Sequence, residues 1–267
     1  MTRPTKLCLL LLSLLASSIR LCSAAVPSGE ADFFFDSNVL PLYDFTGTFQ
    51  PTNGTIRGAG GQDVPFSSAV DLVHDAHGRL TGSGTTTLGI GTDFVAADYK
   101  ASGRVSGGGT ATRVNLTTRF KGTGVISGLT TTFNISVTYK LEVNNSDGTL
   151  VGPARGEASF SRVGGGKVNS DVAVPIATGT NASWVLQLFI TPLKKLGGSG
   201  NVILIDGRTL TGDLLGSYSS QKGQANLKWT GLNDSKGSNL KITMATVGET
   251  NLLLSLKGKV LGQSIQQ

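Results

Sequence analysis

An all-β fold, an antiparallel meander of glycine-rich hairpins, is predicted by this 267-residue sequence on three observations. The first is a recurrence of glycine, any residue, an aliphatic residue, any residue, glycine. Five of its instances are Gly78-Leu80-Gly82, Gly103-Val105-Gly107, Gly124-Ile126-Gly128, Gly148-Leu150-Gly152 and Gly258-Val260-Gly262. Residues two apart in a strand share a face, so each instance sets a small, a large and a small side chain in a row on one side of a sheet. The second is alternation, clearest over residues 133–143. There Phe133, Ile135, Val137, Tyr139, Leu141 and Val143 fall on one parity, and Asn134, Ser136, Thr138, Lys140 and Glu142 on the other. Such a strand belongs to a sheet with one dry and one wet face. The third is turn chemistry: Asp75-Ala76-His77-Gly78, Asn145-Ser146-Asp147-Gly148, Asp234-Ser235-Lys236-Gly237 and Asp206-Gly207. The leading Asp or Asn bonds the backbone two residues on, and the closing glycine accepts the positive φ of a hairpin exit.

In chain order, the first element is a segment apart. Arg3 and Lys6 precede an apolar run from Leu7 to Ile19, and Ser23, Ala24 and Ala25 follow. Residues 1–25 therefore read as a secretory signal peptide, too short to span a bilayer, and predict a secreted, periplasmic or cell-surface chain. Both cysteines, Cys8 and Cys22, lie in it, so the mature chain is predicted to have no disulfide and no thiolate chemistry. Its removal takes three basic residues and no acid, lowering the formal net charge from +6 to +3.

Residues 26–65 gather Phe33, Phe34, Phe35, Tyr43, Phe45 and Phe49. Three consecutive phenylalanines cannot share one face of a strand, which predicts either a buried strand or, as the preferred reading, a segment laid across the open face of a sheet. Residues 66–267 are predicted to be the antiparallel β domain. Its first four repeats start 25, 21 and 24 residues apart, room for two strands and two turns each, which is a hairpin meander and no strict solenoid. Residues 184–190 and 201–205 are apolar on both parities, the pattern of strands covered on both sides, and the aromatic N-terminal segment is the predicted cover. Pro192 to Gly200 reads as the loop between them. Two terminal strands, 240–247 and 251–262, are predicted to pair and to close or cap the sheet.

Each repeat glycine lies on the apolar parity and costs about 0.5–1 kcal/mol relative to alanine inside a strand, so ten of them need a compensating gain. A sheet that bends along lines of glycine supplies one. The prediction is a strongly curved sheet, barrel or half-barrel, concave on its apolar side; a flat β-sandwich whose glycines mark bulges and strand ends is the alternative.

The chemistry is mostly negative. No Gly-x-Ser-x-Gly elbow and no Gly-x-Gly-x-x-Gly fingerprint occurs, and Gly164-Gly165-Gly166-Lys167 lacks the rest of a phosphate loop. His74 and His77, beside Asp71 and Asp75, fall at a strand end and in a turn, where their rings need not converge on a metal. No carboxylate pair can be nominated for glycoside hydrolysis, and basic residues do not cluster with aromatics as nucleic-acid binding demands. Six Asn-x-Ser/Thr triplets, at Asn53, Asn115, Asn134, Asn144, Asn181 and Asn233, match glycan acceptors, a pattern that alternation on a wet face also produces. No catalytic, cofactor or metal residue is therefore nominated. The expectation is an exported, non-catalytic structural, adhesive or surface-binding protein, its partner a cell-envelope glycan or an apolar ligand. The alternative is a carrier of a lipid or other apolar ligand on a concave face formed by Leu80, Val105, Ile126 and Leu150. An outer-membrane barrel is disfavoured because the aromatics do not form two girdles.

Overall fold

The structure, a computed structural model, describes residues 29–36, 41–58, 60–144, 149–175, 181–190, 193, 195–219, 221–231, 238–247 and 250–267. The predicted signal segment and the turns Asn145–Gly148 and Asp234–Gly237 lie outside them. Their strands are β1 (Gly29–Asp36), β2 (Gly47–Phe49), β3 (Gly54–Gly58), β4 (Asp63–Ser67), β5 (Val70–His74), β6 (Arg79–Ile90), β7 (Asp93–Ser106), β8 (Arg113–Ile126), β9 (Leu129–Asn144), β10 (Thr149–Phe160) and β11 (Gly164–Pro175). There follow β12 (Asn181–Ile190), β13 (Lys195–Leu204), β14 (Thr209–Ser219), β15 (Gln224–Thr230), β16 (Ser238–Val247), β17 (Thr250–Val260) and β18 (Gln263–Gln266). A 3-10 turn, Gly109–Ala111, sits between β7 and β8. All strand pairs are antiparallel, and the curved all-β architecture predicted from the glycines is the one found.

Strands β2 to β11 close on themselves. β2 and β3 continue one another, as do β4 and β5 across Ser68 and Ala69, so the circuit has eight strands in sequence order. It closes where β3 meets β11 through Ile56↔Val168, Arg57↔Lys167 and Gly58↔Gly166. An eight-stranded ring has an interior just wide enough for side chains to fill. Here the inward parity fills it: Leu116, Phe120, Ile135, Tyr139 and Leu141 are all buried, Phe49 meets Tyr139 edge-on at 5.1 Å, and Phe66 meets Phe120 at 6.1 Å. Burial raises the Tyr139 phenol to a pKa of about 12.

The repeat glycines divide into two kinds. Gly78, Gly107, Gly128 and Gly262 are hairpin positions with positive φ. Gly82, Gly103, Gly124, Gly152 and Gly258 point inward beneath the neighbouring strand. A methyl added at Gly103 would sit 2.9 Å from Leu116 Cα, and one at Gly258 3.0 Å from Leu240 Cα. The strand next door has folded over the missing side chain, which is the curl the sequence predicted. Gly78–Gly82, Gly103–Gly107 and Gly124–Gly128 in the ring and Gly258–Gly262 in the open sheet thus each join a turn glycine, the inward aliphatic nearest the turn and a glycine where the sheet bends, in either order along the chain.

The second sheet is open, in the order β1-β12-β13-β14-β15-β16-β17-β18. It curls around a separate core in which Trp184 and Trp229 stack at 6.1 Å and 9°. Cα atoms of β1 come within 8 Å of β17, yet the only ladder of β1 among the described residues is with β12. Three expectations need correcting here. Residues 26–65 are no cover laid on a sheet, since they supply β1 to the open sheet and β2 to β4 to the ring. The doubly apolar strands β12 and β13 are buried on one face only, leaving Phe189, Ile203 and Ile205 exposed. The stretch taken for a loop belongs mostly to β13: Gly197 lies under the Phe189 ring and Gly200 against the Trp229 ring, each 2.6 Å from where a Cβ would be. Glycine there makes room for an aromatic rather than ending a strand.

Candidate functional site

The two ends of the ring differ. At one end the β5–β6 turn and the segment after β7 pack on the β17–β18 turn of the open sheet. Gly78 and Gly262 touch backbone to backbone, and a methyl on Gly78 would lie 2.6 Å from Gly262 Cα. Beside them is a buried polar node. The Gln263 side-chain amide accepts from Tyr43 N–H at 3.0 Å and donates to Tyr43 C=O at 2.6 Å. His74, fully buried, donates from Nε2 to the Leu261 carbonyl at 3.0 Å and accepts at Nδ1 from Phe45 N–H at 3.3 Å, which places its proton on Nε2. The Asp44 carboxylate lies 3.4 Å from Nδ1 and is bonded by Thr46 and, at 3.4 Å, by Arg208. His77 stands exposed in the neighbouring turn, away from His74, and Asp75 there caps the His77 and Arg79 N–H groups at 2.9 and 2.8 Å. Among the described residues no three His, Cys, Asp or Glu side chains gather as metal ligands would. The node binds the two sheets together.

The far end is formed by the hairpins joining β3 to β4, β6 to β7, β8 to β9 and β10 to β11. Their inward apolar residues stop short of meeting, and a cavity of about 370 Å³ opens between Ile56, Val64, Ile90, Ile126, Phe160 and Val163. That volume lies at the small end of the range for ligand sites, roughly 300–1,000 Å³. Its one ionisable lining group is Asp93, whose carboxylate accepts the Ser127 N–H at 2.8 Å. This bond ties the β6–β7 hairpin to the β8–β9 hairpin and holds Ser127 at φ 50°, a left-handed backbone that serine adopts reluctantly. The rim is apolar too: Phe94 is 75 % exposed, Val125 55 % and Leu129 45 %. Grouped apolar exposure of this kind marks contact surfaces.

On the outer wall beside this mouth, across the glycine seam of β3 and β11, runs a furrow of about 590 Å³ with Arg57, Lys167, Glu157 and Asn134 along it. Arg57 is held by Asp63 at 2.9 and 3.1 Å, and the guanidinium keeps the Asp63 carboxyl below the usual carboxylate range.

Of the four residues nominated for an apolar ligand face, Leu80, Val105 and Leu150 pack at the junction end and Ile126 lines the open mouth. All four are buried in one core cluster, but they do not form a single face. The mouth's other residues were not nominated. Their signal in the sequence was faint: each large apolar residue stands beside a turn, as in Ile90-Gly91, Ile126-Ser127-Gly128 and Val163-Gly164.

Comparison with protein-family models, with curated proteins and with solved structures found no match. No helix among the described residues is long and apolar enough to cross a membrane, which leaves strands out of consideration.

Proposed function

We propose that the chain is an exported, non-catalytic binding protein that takes an apolar group of acyl-chain or hydrophobic side-chain size into the open mouth of its ring. The carrying observation is the 370 Å³ apolar cavity at the end of an otherwise packed barrel. Support comes also from the exposed Phe94, Val125 and Leu129 on the rim, which extend the apolar surface toward whatever presents the group. A lone carboxylate, already occupied by the Ser127 N–H, gives the mouth no acid–base pair and favours binding over turnover. Export is supported by the basic residues, apolar run and small residues of 1–25.

Titration of the purified chain with the apolar fluorophore N-phenyl-1-naphthylamine is the test. Saturable binding is expected, and Ile126→Trp, which fills the mouth, should weaken it about tenfold, a loss of about 1.4 kcal/mol, with the circular dichroism spectrum unchanged. Undiminished binding by Ile126→Trp places the probe elsewhere and removes this reading; no binding by the parent chain leaves the structural role expected from composition.

A further inference from the structure

The charge of the chain is split along its length. Residues 26–175 hold 11 basic and 13 acidic side chains, net −2, whereas residues 176–267 hold nine basic and four acidic, net +5. The strands β15 to β18 contain four lysines and no acid at all. Lys228, Lys241, Lys257 and Lys259 are all exposed on the outer face, and the ladder sets them side by side. Lys241 stands directly opposite Lys257, and Lys259 shares a rung with Asn239, which in turn opposes Lys228. None of the four takes part in the ion pairs found among the described residues. Like charges directly opposite in an antiparallel ladder are destabilising, so the Lys241–Lys257 rung carries a repulsion that no ion pair among the described residues relieves.

The lysines border a groove of about 410 Å³ whose polar walls are Asn226, Asn239, Lys241 and Lys257. Strands lie about 4.8 Å apart and residues two apart on a strand about 6.8 Å, so the ammonium groups recur across the groove at 5–10 Å. Between them the asparagine side chains offer amide donors and acceptors that match hydroxyl groups. A site with repeated cations interleaved with amides fits a chain molecule that repeats acidic groups among hydroxyls.

We propose that this face binds an acidic polysaccharide, one with carboxylate or sulfate groups on successive sugars. An anionic membrane would also answer the charge, but adsorption to a bilayer needs apolar side chains that enter it. Leu227 and Leu240 beneath the groove are buried, and the exposed Leu215, Leu252 and Leu254 stand outside its lining, Leu215 beyond Lys228 and the other two farther along β17. This site is distinct from the ring mouth and does not depend on it.

The experiment measures binding of the full chain to polygalacturonate, dextran sulfate, neutral dextran and vesicles containing phosphatidylserine, over a series of salt concentrations. Binding to one or both acidic polymers and not to neutral dextran is expected, weakening as salt rises. Replacing Lys228, Lys241, Lys257 and Lys259 together by Gln should weaken it about tenfold or more, since exposed ion pairs each contribute little and act here as a group. Lys257→Gln alone should weaken binding and at the same time raise the melting temperature of the free protein by about 1–3 °C, because it removes the Lys241 repulsion. A charge-matched control, Lys100, Lys121, Lys140 and Lys167 on the ring replaced together by Gln, should leave the affinity nearly unchanged. An equal loss in that control shows a net-charge effect and overturns the assignment, as does binding to the vesicles with none to the polymers, or no binding to any of them.

Discussion

The ring and the open sheet use the same inward glycines and each has eight strands, yet one closes and the other does not, and the direction of the strands that meet explains the difference. In the ring, seven antiparallel steps bring the last strand beside the first with opposite direction, and the β3–β11 ladder completes the circuit. In the open sheet, six antiparallel steps lead from β1 to β17 and leave these two strands parallel. Their edges approach within 8 Å as parallel neighbours, and β18, which runs opposite to β1, covers only Lys257 to Val260 of β17. Glycine therefore sets how sharply a sheet bends, while the relative direction of the strands that meet decides whether bending becomes closure. The glycines also serve different neighbours: at Gly103 the space goes to an adjacent backbone, at Gly200 and Gly212 to the ring of Trp229.

Truncation of a core aromatic should show this contrast most strongly. Phe120→Ala in the ring should cost near the upper end of about 3–5 kcal/mol, because a closed circuit cannot contract onto the hole. Trp229→Ala should fall nearer the lower end, since the slot between Gly200 and Gly212 can collapse in an open sheet, and it also removes an indole N–H that has no partner among the described residues. Urea unfolding of both variants checks the order; the reverse order breaks the comparison.

Alkali should act next in size. The Tyr139 phenol titrates at about 12 in the folded chain against about 10 when unfolded, so the unfolded state loses its proton first as pH rises. Its contribution is intact below pH 10, falls by about 1.4 kcal/mol per unit above that, and is gone once pH passes 12. Tyr139→Phe should flatten this part of a stability–pH profile. The smallest effect expected is from Gly103→Ala and Gly258→Ala, each about 1–3 kcal/mol from overpacking against a neighbouring Cα. Equal losses at both sites would sharpen the view that bending is one mechanism in two sheets; a loss at Gly103 alone would tie it to closure.

Much of the architecture was legible because alternation and glycine parity are local signals. The face of Phe133 to Val143 could be read directly, and so could the inward direction of Gly103 and Gly258. What escaped depended on partners distant in sequence. Gly197 and Gly200 looked like a loop because the aromatics they accommodate lie on other strands, Phe189 and Trp229. The aromatic segment looked like a cover because nothing near Phe33 reveals that its strand pairs with residues 183–190. The mouth was legible only at Ile126, since its lining comes from four hairpins, and the buried His74 looked like an ordinary strand-end residue because its partners Leu261 and Phe45 come from opposite ends of the chain. The lysine field was hidden for the same reason: Lys228, Lys241 and Lys257 are neighbours only across the ladder.

The path of the chain has a consequence for its synthesis. The ring occupies one unbroken stretch, but β1 emerges first and its ladder partner β12 begins only at Asn181. At about 5–20 residues per second, the roughly 145 residues between them take on the order of 7–30 s to appear. Throughout that interval the stretch GEADFFFD waits as an unmated β-forming segment with three phenylalanines in a row. Glu30, Asp32 and Asp36, spaced around those rings, supply the like charge that keeps such nascent segments from joining one another before the ribosome delivers their mate.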